Sequence, residues 1–103
     1  MKRNLYSLNN RYYRIIDTGK PYKRGYPEIN DGATHLTMNT GFRIQSFLTK
    51  SWGNICSSES FEDAAETILM FGRVRPPKGI TATQCLNNYV VSEIPDFISK
   101  CDG

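Results

Sequence analysis

One histidine and three cysteines are the residues of this sequence best suited to bind a metal or to act as a nucleophile. His35 stands alone, and Cys56, Cys85 and Cys101 are far apart. Structural zinc sites usually have paired ligands about two to four residues apart, and a cysteine nucleophile needs a histidine that a third group orients. The sequence has neither pattern. We therefore predict no metal site, no cofactor and no catalytic residues. We expect free buried thiols in a reducing compartment, with one disulfide and a spare thiol as the alternative.

A serine and several carboxylates gather near residue 60, where an acid–base or acyl-transfer site could be suspected. Ser60 precedes Glu62, Asp63 and Glu66. A serine before an acidic first turn is the usual start of a helix, because its hydroxyl accepts a backbone N–H and the carboxylates face the positive end of the helix dipole. The Gly-x-Ser-x-Gly, Walker and dinucleotide-binding patterns are absent from the sequence. This region therefore predicts a helix with solvated charge, or an acidic docking surface, and the chain is not expected to be an enzyme.

Cations and tyrosines alternate near the N-terminus and are suited to bind a macromolecule. Residues 1–24 contain seven cations and one acidic residue, Asp17, so this segment has a charge of +6, against +3 for the whole chain. Five of the six tyrosines lie within the first 26 residues. Cations contact carboxylates or phosphates, and phenol rings bury area at protein interfaces or stack on bases. The connector RVRPPKG, residues 73–79, adds further cations. The predicted partner-binding residues are Arg11, Tyr12, Arg14, Lys20, Tyr22, Lys23, Arg24, Tyr26, Arg73 and Arg75.

A two-residue β-hairpin is predicted to position the first of these side chains. Its strands would cover residues 5–8 and 11–16, joined by Asn9-Asn10, because asparagine tolerates the positive φ of a type I′ turn. Period-two alternation then places one set of side chains in the core and another on a basic aromatic face that the helices leave uncovered. The core set is Tyr6, Leu8, Tyr13 and Ile15, and the outer set is Tyr12, Arg14 and Ile16.

The remaining elements are predicted from periodicity and from turn residues. A loop or loose hairpin is expected up to Gly32, then a third strand over residues 33–39. Apolar residues from Ile44 to Ile55 fall on one helical stripe, and residues 61–71 predict a second helix that Ser60 starts and Gly72 ends. Residues 81–90 fit a helix that Thr81 or Thr83 opens, or alternatively a hairpin that repeats the Leu-Asn-Asn pattern.

These elements predict an α+β fold in a single domain, residues 1–103. A small antiparallel sheet, made of the N-terminal hairpin and one or two further strands, would pack against two or three helices. With 39% hydrophobic and 22% charged residues, the composition is close to that of globular proteins. The predicted core consists of Phe42, Ile44, Phe47, Leu48, Trp52, Ile55, Phe61, Ala65, Ile68, Leu69, Leu86 and Val90.

The hydropathy pattern bears on the cellular location of the protein. No segment approaches the roughly 18 apolar residues of a membrane span, and the basic N-terminus MKRNLYSLNN has no apolar run behind it. We therefore predict no signal peptide, no membrane partner and a cytoplasmic protein.

Two functions of different classes are consistent with this pattern. The first is a small non-catalytic binding protein, whose basic, tyrosine-rich face docks onto an acidic surface of a larger protein or nucleoprotein and blocks or modulates it. In size and in its lack of catalytic motifs, the chain is similar in style to accessory proteins of bacteriophages and other mobile elements, including inhibitors of bacterial defence. The second is a nucleic-acid-binding module that uses the same face on single-stranded DNA or RNA. An ordinary fold with solvated charge is the third interpretation of this segment.

Overall fold

A four-stranded antiparallel sheet lies at the centre of the computed structural model, which describes residues 4–23 and 40–100. The strands are β1 (Leu5–Leu8), β2 (Arg11–Asp17), β3 (Phe42–Leu48) and β4 (Ser51–Ser58), and they are neighbours in chain order. Three helices follow, α1 (Phe61–Phe71), α2 (Ala82–Leu86) and α3 (Asp96–Ser99), with a turn of 3-10 helix over Asn87–Tyr89. The predicted α+β class, a small antiparallel sheet with helices packed against it, is confirmed.

The N-terminal hairpin has the predicted turn and the predicted register. Tyr6 pairs with Tyr13 and Ser7 pairs with Tyr12. Asn9 and Asn10 both have positive φ, 51° and 64°, as a type I′ turn requires. The four side chains of the predicted core set are buried together under the helices. Local turn chemistry therefore determines which tyrosines enter the core.

The helix predicted from Ile44 to Ile55 is wrong, because this segment forms the hairpin of β3 and β4. The chain reverses at Thr49, which has a φ of 52°. Two features hide the strand period in the sequence. A β-bulge interrupts the pairing next to Ile44 and Gln45, and two polar side chains, Gln45 and Ser46, are buried. The apolar residues then fall on a helical stripe by coincidence.

Helix α1 begins as predicted and ends differently. The Ser60 hydroxyl accepts a hydrogen bond from the Asp63 amide at 3.1 Å. Gly72 has an ordinary helical φ of −79°, and the left-handed residue that ends the helix is Arg73, with a φ of 57°. Gly72 is instead needed for close packing, since a Cβ there would lie 2.7 Å from Leu8 Cδ2. The end of α1 therefore rests directly on the end of β1.

The predicted core is correct in about half of its members. Ile44, Phe47, Ala65, Ile68, Leu69 and Leu86 are buried, and Phe42, Trp52, Ile55 and Phe61 are partly buried. Leu48 and Val90 are exposed. Leu48 is the last residue of β3, directly before the turn to β4. Val90 lies past the 3-10 helix, where it makes an isolated bridge with Tyr6. The helix interpretation of residues 81–90 therefore holds up to Leu86, and the third strand predicted over 33–39 lies outside the described residues.

A carboxylate from α1 holds the start of α2. Glu62 accepts hydrogen bonds from the Ala82 amide at 2.7 Å, the Thr83 amide at 3.0 Å and the Thr83 hydroxyl at 2.7 Å. Thr81 and Gln84 add a reciprocal capping box at the same turn. These hydrogen bonds hold the pKa of Glu62 below its usual value of 4.5. The two from Thr83 have a larger effect than the one from Ala82.

Glu62→Gln is expected to destabilise the fold at neutral pH and to have little effect in acid. Since the pKa of Glu62 is lower in the folded than in the unfolded chain, its contribution is present above the ordinary value of 4.5. That contribution is lost as the pH falls through the folded-state pKa. Urea unfolding followed by circular dichroism, at about pH 7 and about pH 3, measures this. Glu66→Gln, one turn later on the exposed side, is the matched control. A Glu62→Gln deficit of the same size at both pH values would contradict the capping role.

Candidate partner-binding surface

The predicted partner-binding residues separate into three groups, and the first lies on the sheet face opposite to α1. Tyr12 is half-buried, and its ring meets Phe97 edge-on with centroids 6.0 Å apart. Arg14 donates from Nε to Gln45 Oε1 at 2.7 Å and lies 4.1 Å above the Trp52 ring. The prediction that the helices leave this face uncovered is therefore wrong at Tyr12. Helix α3 packs there, with Ile98 buried against Leu5 and Phe47.

The second group lies in the loop that follows β2 and consists of Lys20, Tyr22 and Lys23. The loop is tied to the start of β3, because the Gly41 amide donates to Lys20 O at 2.8 Å and the Lys23 amide donates to Thr40 Oγ1 at 3.0 Å. Tyr22 is half-buried and the two lysine residues are exposed. This group therefore offers two exposed cations. Arg24 and Tyr26, predicted to extend it, lie outside the described residues.

The third group, here called the arginine surface, consists of Arg11, Arg73 and Arg75. Leu8 pairs with Arg11 across the hairpin, and the same leucine packs against Gly72, the neighbour of Arg73. Arg11 and Arg73 therefore flank one residue although they are far apart in the sequence. Arg75 follows on the exposed chain, and all three are exposed.

The fold separates the arginine surface from the loop lysines. Strand β2 begins at Arg11 and ends at Asp17, just before the loop. Six steps of about 3.3 Å along β2 separate Arg11 from Asp17 by roughly 20 Å. Asp17 lies next to the loop and accepts a hydrogen bond from the Gly19 amide at 2.9 Å, so a carboxylate accompanies the loop lysines. Arg11 of the arginine surface and the loop lysines therefore lie at opposite ends of β2.

Large apolar side chains lie beside the arginine surface, and sequence reasoning did not select them. Met70 is 70% exposed and Phe71 is 48% exposed in the last turn of α1, directly before Gly72. The helical period contains the signal for them, because the buried stripe runs through Ala64, Ala65, Ile68 and Leu69 and leaves Met70 outside it. Arginine next to exposed methionine and phenylalanine is typical of protein interfaces.

A groove of about 580 Å³ adjoins the arginine surface, between α1 and the connector to α2. Leu69, Met70, Val74, Pro76 and Ile80 supply its apolar lining. Its charged residues are Glu62, Glu66, Arg73 and Arg75. Glu62 keeps its negative charge while it accepts the three hydrogen bonds described above, so the lining contains two carboxylates, both on α1, and two arginines, both after the end of α1.

No protein-family model, curated protein or solved structure matches this chain.

Two of the three cysteines lie in the described residues, and both are free thiols. Cys85 is a buried free thiol in α2, and Cys56 is a half-buried free thiol in β4. Burial raises the pKa of the Cys56 thiol, although hydrogen bonds with Thr67 and Ser58 act against the rise. A raised pKa lowers the fraction of thiolate, which is the nucleophilic form. His35 and Cys101 lie outside the described residues.

Across residues 4–23 and 40–100, no three residues among His, Cys, Asp and Glu lie together in a way that could hold a metal ion. None of the helices in those ranges has the length and apolar composition that a membrane crossing requires.

Proposed function

We propose that this is a small non-catalytic binding protein that docks through the arginine surface onto an acidic surface of a larger protein or nucleoprotein, and thereby blocks or modulates it. One observation carries the proposal: Arg11 and Arg73 flank Leu8, next to the exposed side chains of Met70 and Phe71. Exposed charge alone is common on protein surfaces. Its combination with exposed large apolar side chains supports an interface.

The mechanism of docking follows from these residue types. Each guanidinium can donate two parallel hydrogen bonds to one carboxylate, which fixes the orientation of the partner. Met70 and Phe71 would lose contact with water on docking, which supplies a favourable term of about 25 cal/mol per Å² of apolar area. Lysines at the edges would increase the rate of association more than the final affinity. The bound protein would then act by occlusion or by changing the assembly of its target.

The same proposal includes a cytoplasmic location and a role as an accessory inhibitor encoded by a phage or mobile element, directed against host defence. Its support is the small size of the chain, +3 net charge and the lack of a catalytic motif. The tyrosine rings favour a protein target over a nucleic acid. Tyr6 and Tyr13 are buried and Tyr12 packs on Phe97, so these three rings are poorly placed to stack on bases.

Charge reversal at two separate places tests the proposal. Arg11→Glu with Arg75→Glu removes cations from the arginine surface, and Lys20→Glu with Lys23→Glu makes the same change of charge in the loop. Arg73 is left intact because its positive φ would complicate the interpretation. Affinity capture from a bacterial lysate, followed by mass spectrometry, compares both variants with the natural sequence. We expect the arginine variant to lose about 90% or more of the captured target and the lysine variant to retain most of it.

Two results would overturn the proposal. Equal losses in both variants would indicate long-range charge and no defined surface. Loss of the captured material after nuclease treatment, together with direct binding of labelled oligonucleotides that weakens steeply with salt, would favour the nucleic-acid-binding module instead.

A further inference from the structure

We infer that the groove between α1 and the connector is a peptide-binding groove, whose occupant is an acidic amphipathic segment of the partner. This inference rests on the proposed function and names the part of the target that is bound. It depends on three properties of the groove: exposed apolar anchors, walls held in place and an asymmetric rim of charge.

The apolar lining remains accessible to a partner. Met70 is 70% exposed and Ile80 is 44% exposed, on opposite walls. Burial of such exposed apolar side chains against a ligand is favourable, because it removes apolar surface from water. Methionine adapts its shape to an irregular ligand, as it does in other peptide-binding grooves. The volume of about 580 Å³ accommodates a few side chains of one segment and not a whole domain.

Hydrogen bonds hold both walls of the groove in place before any ligand binds. The Val74 amide donates to Leu69 O at 2.9 Å, and the Ile80 amide donates to Pro77 O at 3.0 Å. Pro76 and Pro77 lie in the connector between α1 and α2 and restrict its backbone. Glu62 ties the far end of the connector to α1 through Ala82. A groove that is already formed loses little conformational entropy on binding, which favours a short segment as a ligand.

The charge at the rim determines which segment fits. Arg73 and Arg75 lie on the connector side, and Glu62 and Glu66 lie on the side of α1. Glu66 is five residues before Phe71, the last residue of that helix. A segment with carboxylates along the side that faces the connector, and apolar side chains towards the groove, would pair with the arginines and keep its negative charge away from Glu62 and Glu66. A segment with cations along that same side would bring them to Arg73 and Arg75 and would be repelled.

Synthetic peptides test this inference with purified protein. The first probe is an acidic amphipathic peptide of about 16 residues, which spans roughly 24 Å as a helix. The second keeps its apolar residues and replaces each acid by lysine, and the third keeps the acids and replaces the apolar residues by serine. Titration of ¹⁵N-labelled protein is followed by two-dimensional NMR. We expect saturable shifts, confined to the amides of residues 66–82, with the first peptide alone.

A matched pair of variants locates the binding site. Ile80→Asp places a charge in the groove. Ile94→Asp makes the same change at an isoleucine that does not line the groove and is 50% exposed. Ile80→Asp is expected to weaken the first peptide at least about tenfold, which corresponds to 1.4 kcal/mol, and Ile94→Asp to leave it unchanged. Circular dichroism checks that both variants fold. If Ile80→Asp does not fold, Arg75→Glu serves as the groove variant in its place.

The outcomes separate this inference from the proposed function. No saturable shifts with the acidic peptide, equal binding of the lysine peptide, or equal effects of the two aspartate variants would each overturn the groove. If capture of the target still depends on Arg11 and Arg75 in that case, the proposed function stands with a different contact. If capture is independent of these arginines, the proposed function fails whatever the peptides do.

Discussion

Gly41→Ala is expected to lower the free energy of unfolding by about 3 kcal/mol or more. Gly41 has a φ of +64°, which costs an L-residue about 1–2 kcal/mol. A Cβ at this position would also overlap the backbone carbonyl oxygen of Ser58 and lie 3.0 Å from the Tyr22 side chain. The Ser58 oxygen belongs to β4 and cannot move without breaking the sheet. Since Gly41 also bonds to Thr18 and Lys20, strain there loosens the loop that follows β2.

Gly19→Ala separates the two contributions to this loss. Gly19 has a similar φ of +72°, and an added Cβ would meet no atom within 4 Å. Only the backbone cost remains, so the loss should be about 1 kcal/mol. Urea unfolding of both variants is followed by circular dichroism. The two free energies of unfolding are compared with the same slope against urea concentration. Similar losses in the two variants would mean that β4 does not constrain Gly41.

Tyr13→Ala is expected to cost about 3–5 kcal/mol, the range for removal of a large aromatic side chain from a core. Tyr13 is 2% exposed and packs in the main core under the helices. Thermal and urea unfolding measure the loss, which should shift the midpoint of both transitions.

Tyr12→Ala, one residue earlier on the other sheet face, is the matched control for Tyr13. Its half-buried ring packs edge-on against Phe97, and such a pair contributes about 0.5–1.5 kcal/mol beyond the buried area. The loss should therefore stay well below that of Tyr13→Ala. A larger loss for Tyr12 than for Tyr13 would contradict the register of the hairpin and with it the assignment of the core face.

The elements that the sequence predicts correctly are those with local signals. Asn9-Asn10 determines a turn type, which determines the register and therefore the face of every side chain in β1 and β2. Helix α1 has a capping serine and a regular apolar stripe, and both signals lie within a few residues of the element that they predict. Such features need no knowledge of distant contacts.

The errors arise where distant contacts decide the structure. Strands β3 and β4 contain a bulge, buried polar residues and a left-handed Thr49, none of which follows from local periodicity. Gly72 looks like a conventional helix end, yet it is needed because Leu8 packs against it from the other end of the chain.

The proposed binding surface shows the same limit. The sequence identifies which residues carry positive charge, but only the order and direction of the strands reveal which of them are neighbours. Leu8 pairs with Arg11 and contacts Gly72, which brings Arg11 and Arg73 to the same end of the sheet. Arg14, in contrast, donates to Gln45, which is 31 residues away in the sequence. Met70 and Ile80 are placed together only when the connector folds back along α1.

Hydrogen exchange of the protein in complex with its captured target tests the location of the interface most directly. We expect the target to slow exchange of the backbone amides of residues 9–11 and 70–75, at the turn and the helix end that carry the arginines. Slower exchange confined to residues 18–23, with residues 70–75 unchanged, would contradict the account and move the interface to the lysine loop.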